Sequence, residues 1–341
     1  MSHVAFDPDA AATPGSGIYG LPFDESASRV VLLPVAFDAT TSYRPGTAGG
    51  PSAILEASMQ VDLFDSRFGR VYEQGIWMKD EDPRIAAWNR EASELARPIV
   101  EAGGIGNFSV PLSKINAICQ ALDEFVYEET KSVLRAGKVP GLIGGEHSTP
   151  FGAIRACAEA NPGMGVLHVD AHMDLRDAFE GFAWSHASIM HNVLNRVKGL
   201  GKFVQVGIRD FGKREMKFAE LHKVDVYLDI DLAEEMLNGA AWRDLCAKMI
   251  EPLPEKVYVS FDIDALDPSL CPHTGTPVPG GLSFAQAALL LETLWRSGRR
   301  AVGFDLVEVA PGTVEGEPEW DANVGARLLY KLCGCVQERV G

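Results

Sequence analysis

Continuous runs of apolar residues recur along the 341-residue chain. They are rich in valine, leucine, isoleucine and phenylalanine, with little alternation between polar and apolar positions. This pattern is typical of strands that are buried on both faces of a sheet. At least seven such strands are predicted, at residues 29–36, 140–145, 165–171, 203–208, 225–230, 256–264 and 301–309.

Segments with helical periodicity lie between several of these runs. Residues 113–137 carry apolar residues at helical spacing and end in a glycine, and residues 284–298 and 322–336 show similar patterns. Strands that alternate with helices form parallel sheets with helices on both faces. We therefore expect a three-layer α/β domain whose functional residues lie at the carboxyl ends of its strands.

Two segments depart from this alternation. Residues 1–27 are rich in proline, glycine, alanine and aspartate, which predicts an N-terminal arm. Residues 66–111 predict an inserted surface element with a short helix, which is a lid, an oligomer contact or an elaborated loop. Residues 28–341, including this element, are expected to form one domain.

The charge of the chain narrows the choice of partners. Lys and Arg total 31 and Asp and Glu total 47, which gives a net charge of −16. Such a surface repels phosphate backbones and anionic lipids, so nucleic acid and membrane surfaces are not expected partners. A small cationic substrate or a metal ion fits the sign of the charge.

The cysteines and the N-terminal residues point to the cytoplasm. None of the six cysteines forms a C-x-x-C pair, and their wide spacing does not suggest a disulfide framework. The first residues lack the basic start and apolar run of a signal peptide. No segment approaches the ~20 apolar residues of a membrane-spanning helix. We expect a cytoplasmic protein with reduced thiols.

Histidines and carboxylates gather in four segments at the ends of predicted strands. These segments read GGEHS, HVDAHMD, SFDIDALDP and GFDLVEV. Among their ionisable residues, those singled out as candidate functional residues are His147, Asp170, His172, Asp174, Asp262, Asp264, Asp305 and Glu308. Alternate residues of an extended segment point the same way, so Asp170, His172 and Asp174 can converge. Asp262 and Asp264 share a face for the same reason.

Such a concentration of acids at the end of a buried sheet needs a compensating charge. Burying one unpaired carboxylate costs several kcal/mol, and divalent cations remove that cost. Imidazoles together with carboxylates suit Mn²⁺, Fe²⁺, Co²⁺, Ni²⁺ or Zn²⁺. The candidate ligands outnumber those that one ion usually takes from a protein, which favours a pair of ions bridged by carboxylates. Such a pair makes hydroxide available near neutral pH.

These segments resemble those of the ureohydrolase family, which includes arginase and agmatinase. The matching motifs are GGEHS, DAHMDLR, SHAS, SFDIDALDP, TGTPVPGGL and FDLVEVAP, in the family's order over residues 140–312. Residues 42–58 also look like the family's first helix region. The resemblance implies a single α/β domain with a parallel sheet of about eight strands, assembled as a homo- or hetero-oligomer, usually a trimer or hexamer.

The resemblance also implies two divalent ions per chain, Mn²⁺ by default or Ni²⁺ as in enzymes that act on free guanidine. One ion would be held by His147, Asp170, Asp174 and Asp262. The other would be held by His172, Asp170, Asp262 and Asp264. Asp170 and Asp262 would thus bridge the two ions.

Catalytic roles follow from the same resemblance. His186, in SHAS, matches a proton-shuttling histidine, and Glu308, in VEVAP, matches a carboxylate that pairs with a guanidinium group. With Asp264, they are the expected catalytic residues. The implied reaction is attack of the activated water on the central carbon of a guanidino or amidino group. Its products are urea or a urea-like amide and an amine or ammonia.

The substrate is predicted from departures from the family pattern. Residue 146 is Glu where the family commonly has Asp, a change that is expected to leave the metal site intact. The loop after Asp174 does not look like the loop with which arginase binds arginine, so arginine is not the expected substrate. The expected substrate-binding residues are Arg176, Trp184 and Glu308. Aromatic side chains on this loop, Phe179, Phe182 and Trp184, suit a small or alkylated cation.

Two readings of Arg176 lead to two substrate classes. If Arg176 pairs with Asp177 or Glu180, it braces the loop, and the substrate is a small cationic guanidine such as guanidine, an agmatine-like compound, an alkylated guanidine or a biguanide. If Arg176 points inward unpaired, the substrate is a guanidino or formimino acid. A deacetylase or a non-catalytic partner subunit is disfavoured, since the chain lacks a tandem His-His pair and has a complete ligand set.

Overall fold

A computed structural model describes residues 6–13, 15–312 and 319–338. Its centre is an eight-stranded sheet, parallel throughout, with the order β2-β1-β3-β8-β7-β4-β5-β6. The strands are β1 Val30–Val35, β2 Ile76–Met78, β3 Val139–Gly144, β4 Gly165–Val169, β5 Phe203–Ile208, β6 Asp225–Leu228, β7 Lys256–Asp262 and β8 Arg300–Val307.

Helices cover both faces of the sheet. They are α1 Gly50–Ser58, α2 Pro83–Glu101, α3 Ser109–Arg135, α4 Phe151–Ala160, α5 Ile189–Arg196, α6 Lys213–Leu221, α7 Asp229–Leu237, α8 Trp242–Ile250, α9 Phe284–Arg296 and α10 Trp320–Cys335. Apolar residues of α1 and α7–α10 share one buried cluster, and those of α2–α6 share another. The three-layer α/β architecture predicted from the sequence is therefore confirmed.

All seven predicted strands are present, and the sheet gains an eighth that the sequence did not reveal. Strand β2 lies within residues 66–111 and pairs with β1 at the edge of the sheet. Its three residues are too few to show a periodicity. The same segment contains α2, which has 19 residues rather than the short helix predicted. Helix α2 buries Ile85, Ala92 and Ile99 against the sheet layer.

Part of the N-terminal arm belongs to the core. Ile18, Tyr19 and Leu21 are almost completely buried. The Tyr19 hydroxyl donates to the carbonyl of Ala326 at 2.9 Å, and its ring packs against Tyr330 on α10. Residues 18–21 are thus fixed to the domain, because their apolar side chains complete a buried cluster.

Two further expectations concern thiols and membranes. All six cysteines are free and buried, as expected for reduced thiols. Among the residues that the structure describes, no helix is both long enough and apolar enough to cross a bilayer.

The strand order brings the candidate ligands together. Strands β3, β8, β7 and β4 are neighbours in the middle of the sheet, although they are far apart in the chain. His147 follows β3, Glu308 follows β8, Asp262 ends β7 and Asp170 follows β4. Because all these strands are parallel, their carboxyl ends lie at one edge of the sheet.

Candidate metal centre and active site

Three carboxylates surround one imidazole nitrogen at this edge. Nδ1 of His147 lies 3.0 Å from Asp170 Oδ2, 3.1 Å from Asp174 Oδ2 and 3.2 Å from Asp262 Oδ2. Each of these four residues is buried. Nδ1 itself makes no well-aligned hydrogen bond within the described residues. This first cluster has the donor set and the unpartnered nitrogen that suit a divalent cation.

The other nitrogen of His147 is fixed by a chain of hydrogen bonds. The Ser260 hydroxyl donates to Asp305 Oδ1 at 2.9 Å, so its oxygen accepts from His147 Nε2–H at 3.0 Å. In the neutral ring, the form that binds a metal, Nε2 carries the proton and Nδ1 has the free lone pair. Hydrogen bonds of this kind commonly orient metal-binding histidines. They also account for Asp305, for which the sequence analysis proposed no role.

A second cluster adjoins the first through Asp170. Nδ1 of His172 lies 3.0 Å from Asp264 Oδ2 and 3.5 Å from Asp170 Oδ1. Asp170 therefore directs Oδ2 to the first cluster and Oδ1 to the second, as a bridging carboxylate would. Asp170 and Asp262 each also accept a backbone N–H, Asp170 Oδ1 from His172 at 2.6 Å and Asp262 Oδ1 from Asp264 at 2.8 Å. Among the described residues, Asp262 has no oxygen within ion-pair distance of His172, so its bridging role stays a prediction.

His168 is a buried neighbour of these clusters that the sequence reasoning missed. Its Nε2 donates to Asp170 Oδ2 at 2.8 Å, and its Nδ1 accepts from the Gln205 amide at 2.9 Å. The signal that could have revealed it is its position two residues before Asp170, on the same face of the extended chain. The residue was overlooked in the sequence because it lies among the apolar residues of β4.

Two residues of the centre have unusual backbone conformations. Asp174 has φ 54° and Glu308 has φ 62°, both in the left-handed region. Such conformations cost of order 1–3 kcal/mol each in non-glycine residues and are concentrated at functional sites. Here they turn the two carboxylates towards His147, whose backbone N–H donates to Glu308 Oε1 at 2.8 Å.

Burial governs protonation in the absence of a metal ion. It raises the pKa of Asp174 to about 7 and the pKa of Asp262 well above its ordinary value, helped by neighbouring aspartates. Burial opposes ionisation of Asp170 as well, but His168 and His147 outweigh it and lower its pKa. Burial disfavours the charged form of His147, yet its carboxylate partners raise its pKa overall.

These shifts predict how the stability of the metal-free protein depends on pH. Carboxyls with raised pKa values bind more protons in the folded state, so their stabilisation is lost as pH rises from their unfolded values towards about 7. We expect the metal-free Tm to fall between about pH 4, the ordinary pKa of an aspartate, and about pH 7. The Tm of Mn²⁺-loaded protein should rise over the same range, because metal binding requires deprotonated ligands. A metal-free Tm that increases towards pH 7 would contradict this assignment.

A cavity of about 400 Å³ opens above the two clusters. Its lining includes five residues that the sequence analysis singled out: His172, Asp174, Arg176, Phe179 and His186. The other lining residues are Ser42, Tyr43, Arg44, Ala187, Asp210, Glu215, Thr276, Pro277 and Val278. Its volume suits a small organic substrate.

His186 is half-buried in the wall of this cavity with a defined tautomer. Its Nδ1 lies 3.1 Å from the carbonyl oxygen of Thr40, which can only accept, so Nδ1 carries the proton. Nε2 lies 3.4 Å from the Ser42 hydroxyl. Burial, and then the nearby His172, lower the pKa of His186 to about 4. The imidazole is therefore neutral at pH 7, with Nε2 able to accept a proton.

Glu308 presents one oxygen that is free of strong partners. While Oε1 accepts from His147, Oε2 faces Gly275, where a side-chain Cβ would come within 3.2 Å. The glycine therefore leaves room beside this oxygen. Burial and the nearby Glu146 raise the pKa of Glu308 well above its ordinary value. A bound cation would reverse that shift by favouring the ionised form.

Arg176 is paired, but not with the residues predicted. Its Nε lies 3.5 Å from Glu215 Oε2, and its guanidinium lies 4.7 Å from the centre of the Phe179 ring. Asp177 points into solvent with its side chain 95% exposed. Among the described residues, Arg176 forms an ion pair with neither Asp177 nor Glu180, the two partners that the sequence offered, and Glu215 comes close only through the fold.

The structure does not bring Trp184 to the cavity. Its ring packs at 5.2 Å against Phe151 and lies 4.9 Å from the guanidinium of Arg196. Phe182 is also buried away from solvent. Only Phe179 of the predicted aromatic residues lines the cavity. The expectation that Trp184 binds substrate is therefore corrected, since its ring is used in packing α4 against α5.

The sequence and the fold of this chain are similar to those of known proteins along most of its length. The model of the arginase family matches residues 28–334. An N(1)-aminopropylagmatine ureohydrolase of Thermus thermophilus is 35% identical over 315 residues, covering 92% of this chain and 91% of that protein. A proclavaminate amidinohydrolase of Streptomyces clavuligerus is 32% identical over 307 residues, covering 89% and 87%. The crystal structure of the agmatine ureohydrolase of Thermoplasma volcanium superimposes with a TM-score of 0.71 at 23% identity, covering 94% of each chain.

Proposed function

Because the chain belongs to the arginase family, and is thus a hydrolase of amidino C–N bonds, we propose that its substrate is a small cationic guanidine. Guanidine itself, an agmatine-like compound, an alkylated guanidine and a biguanide are the members of this class that we expect to be turned over. The products are urea or a urea-like amide and an amine or ammonia. The observation that carries this proposal is the pairing of Arg176 with Glu215.

Charges around the cavity support a cationic substrate. The guanidinium of Arg176 is paired with Glu215 and lies over the Phe179 ring. This pairing reduces the attraction of Arg176 for an anionic tail of a substrate. Asp210 also lines the cavity, and its carboxylate forms no hydrogen bond or ion pair with the described part of the chain. Glu308 is buried beside His147 and is not among the residues that line the cavity, so its contact with the substrate is part of the proposal. A guanidinium would meet carboxylates on several sides.

Two divalent ions are proposed as cofactors, since the clusters at His147 and His172 provide oxygen and nitrogen donors around two separate points. When bound, such ions lower the pKa of water towards neutrality and supply hydroxide. Mn²⁺ and Ni²⁺ both suit these donors. The first ion would take His147, Asp170, Asp174 and Asp262, and the second would take His172, Asp170, Asp264 and, if it bridges, Asp262.

The residues of the chain then orient the substrate and handle protons. Glu308 Oε2 accepts hydrogen bonds from the cationic group, and such charge-assisted bonds fix its orientation. His186 Nε2 takes up a proton and gives it to the departing amine. The Thr40 carbonyl keeps the proton of the neutral ring on Nδ1, so Nε2 serves both transfers.

A guanidino or formimino acid is the second candidate substrate. Arg176 keeps 42% of its side chain exposed at the cavity, and Arg44 also lines it. A carboxylate tail that displaced Glu215 would be able to reach both cations. In this alternative the same residues perform the chemistry, and only the recognition of the tail differs.

Replacing Arg176 with methionine separates these two substrate classes. The unmodified enzyme and the variant are loaded with Mn²⁺, Ni²⁺ or Co²⁺ in parallel and assayed with guanidine-type cations and with guanidino acids. We expect guanidino acids to be poor substrates for both proteins and cationic guanidines to be turned over by both. A preference for a guanidino acid that the variant loses by about 2 kcal/mol, the scale of a charge-assisted hydrogen bond, would establish the alternative instead.

An oligomer, a trimer or a hexamer, and a cytoplasmic location also remain part of the proposal. They rest on the sequence resemblance, the free cysteines and the acidic charge. No nucleic-acid or membrane partner is proposed.

A further inference from the structure

A completely buried carboxylate, that of Glu146, lies beside the metal centre without contacting it. Its Oε2 accepts the Thr40 backbone N–H at 2.8 Å and the Thr41 hydroxyl at 3.2 Å. Its Oε1 accepts the hydroxyls of Thr40 and Ser148, both at 2.6 Å. Within the described residues it has no ion pair with a lysine or arginine. All its capacity as an acceptor is therefore directed at neutral donors, chiefly on the loop that follows β1.

Thr40 connects this carboxylate to the cavity. Glu146 holds both its backbone N–H and its hydroxyl, which fixes the orientation of the residue. The Thr40 carbonyl in turn accepts the Nδ1–H of His186 at 3.1 Å. Nε2 of the same ring is thereby left unprotonated near Ser42, in the cavity wall.

The far part of this loop has its own anchor. Asp38 Oδ2 accepts the backbone N–H groups of Gly46 at 2.7 Å and Ala48 at 3.2 Å. Asn89, on α2, pairs with Asp38 through its side-chain amide. Glu146 is thus the support for the segment next to His186, whereas Asp38 supports the segment that leads to α1.

We propose that Glu146 is a positioning residue for His186 and acts through Thr40. This inference rests on the proposed function, in which His186 carries a proton. Glu146 is not among the residues that line the cavity, and its carboxylate bonds to Thr40, Thr41 and Ser148 rather than to the candidate ligands. It fixes the place of the Thr40 carbonyl, and this carbonyl sets the tautomer and the direction of the imidazole. The presence of Glu rather than Asp in GGEHS follows, because a side chain shorter by one methylene would withdraw from Thr40.

A double-mutant cycle tests this coupling. Glu146→Ala is made in the unmodified enzyme and in His186→Ala, and kcat, KM and bound metal are measured for all four proteins. We expect Glu146→Ala alone to lower kcat by about 10²-fold, as misplacement of a reacting group does, with KM and bound metal nearly unchanged. In the His186→Ala background it should cause no further loss, because the group that it positions is gone.

Two outcomes separate failure of this inference from failure of the proposed function. If Glu146→Ala lowers kcat equally in both backgrounds, or in neither, Glu146 acts independently of His186 and the inference is wrong. If His186→Ala alone leaves kcat unchanged, the proton-carrying role is wrong and the inference falls with it.

Conservative variants guard against misfolding. In Glu146→Gln the amide oxygen can accept from Thr40 N–H, and the amide NH₂ can donate to the Thr40 and Ser148 hydroxyls. This variant is expected to keep a kcat close to that of the unmodified enzyme, and a loss as large as that of Glu146→Ala would overturn a positioning role. If Glu146→Ala does not fold, Thr40→Val removes one of the four hydrogen bonds at constant size. Its smaller loss of kcat must likewise vanish in the His186→Ala background.

Discussion

Replacing Asp170 with alanine is expected to empty both metal sites and abolish hydrolysis. The two oxygens of this buried side chain face the two clusters, with Oδ2 at 3.0 Å from His147 Nδ1 and Oδ1 at 3.5 Å from His172 Nδ1. Among the described residues, no other carboxylate lies within ion-pair distance of both histidines. We expect close to zero bound ions per chain after loading with Mn²⁺, measured by mass spectrometry of the metal content.

Two further variants make the result specific. Asp177→Ala removes an exposed carboxylate that follows the same strand, and it is expected to keep the full metal content. Asp262→Ala tests the second predicted bridge and is also expected to empty both sites. If one ion remains in that variant, Asp262 serves the first cluster alone. If close to two ions remain in both Asp170→Ala and Asp262→Ala, the binuclear assignment is wrong.

Replacing His186 with alanine is expected to lower kcat by about 10²–10⁴-fold, the usual contribution of general acid–base catalysis. The metal content should not change, because His186 contacts Thr40 and Ser42 rather than the ligands. The loss arises because the departing amine must then take its proton from water. Steady-state kinetics and metal analysis on the same preparations give both quantities.

His191 offers a matched control for this variant. His191 lies on α5, five residues after His186, and its Nε2 lies 3.8 Å from Asp177 Oδ1. We expect His191→Ala to keep both activity and metal content. Loss of metal in His186→Ala would instead place His186 among the ligands and remove its proposed role.

Much of the fold follows from local pattern, and the exceptions have physical causes. Seven strands were predicted from apolar runs. The six interior strands show such runs because they are covered on both faces, whereas β6, at one edge of the sheet, is only half-buried. Strand β2 escaped prediction because it has only three residues at the edge of the sheet. The length of α2 was missed because its buried side chains are few among many charged ones.

For the site, motifs predicted which residues gather but not which pairs form. His147, Asp170 and Asp262 meet because the carboxyl ends of parallel strands lie at one edge of the sheet. This arrangement can be predicted from the sequence, because each residue follows or ends an apolar run. The partner of Arg176 could not be predicted in this way, since Glu215 lies on α6, which follows β5 in the chain. From the sequence, Glu146 was only a replacement of the family's usual Asp that was expected to leave the metal site intact. Its hydrogen bonds to Thr40 are visible only in the folded structure.

The place of β8 in the sheet has a consequence for how the chain folds. Strands β2, β1 and β3 form one half of the sheet, strands β7, β4, β5 and β6 form the other, and β8 joins them although it is the last to be synthesised. His147 lies on the first half, whereas Asp170 and Asp262 lie on the second. A nascent chain that ends before β8 therefore has no completed metal centre. Because such long-range pairing is slow to form, we expect the binding of both ions to follow the pairing of β8 with β3 and β7.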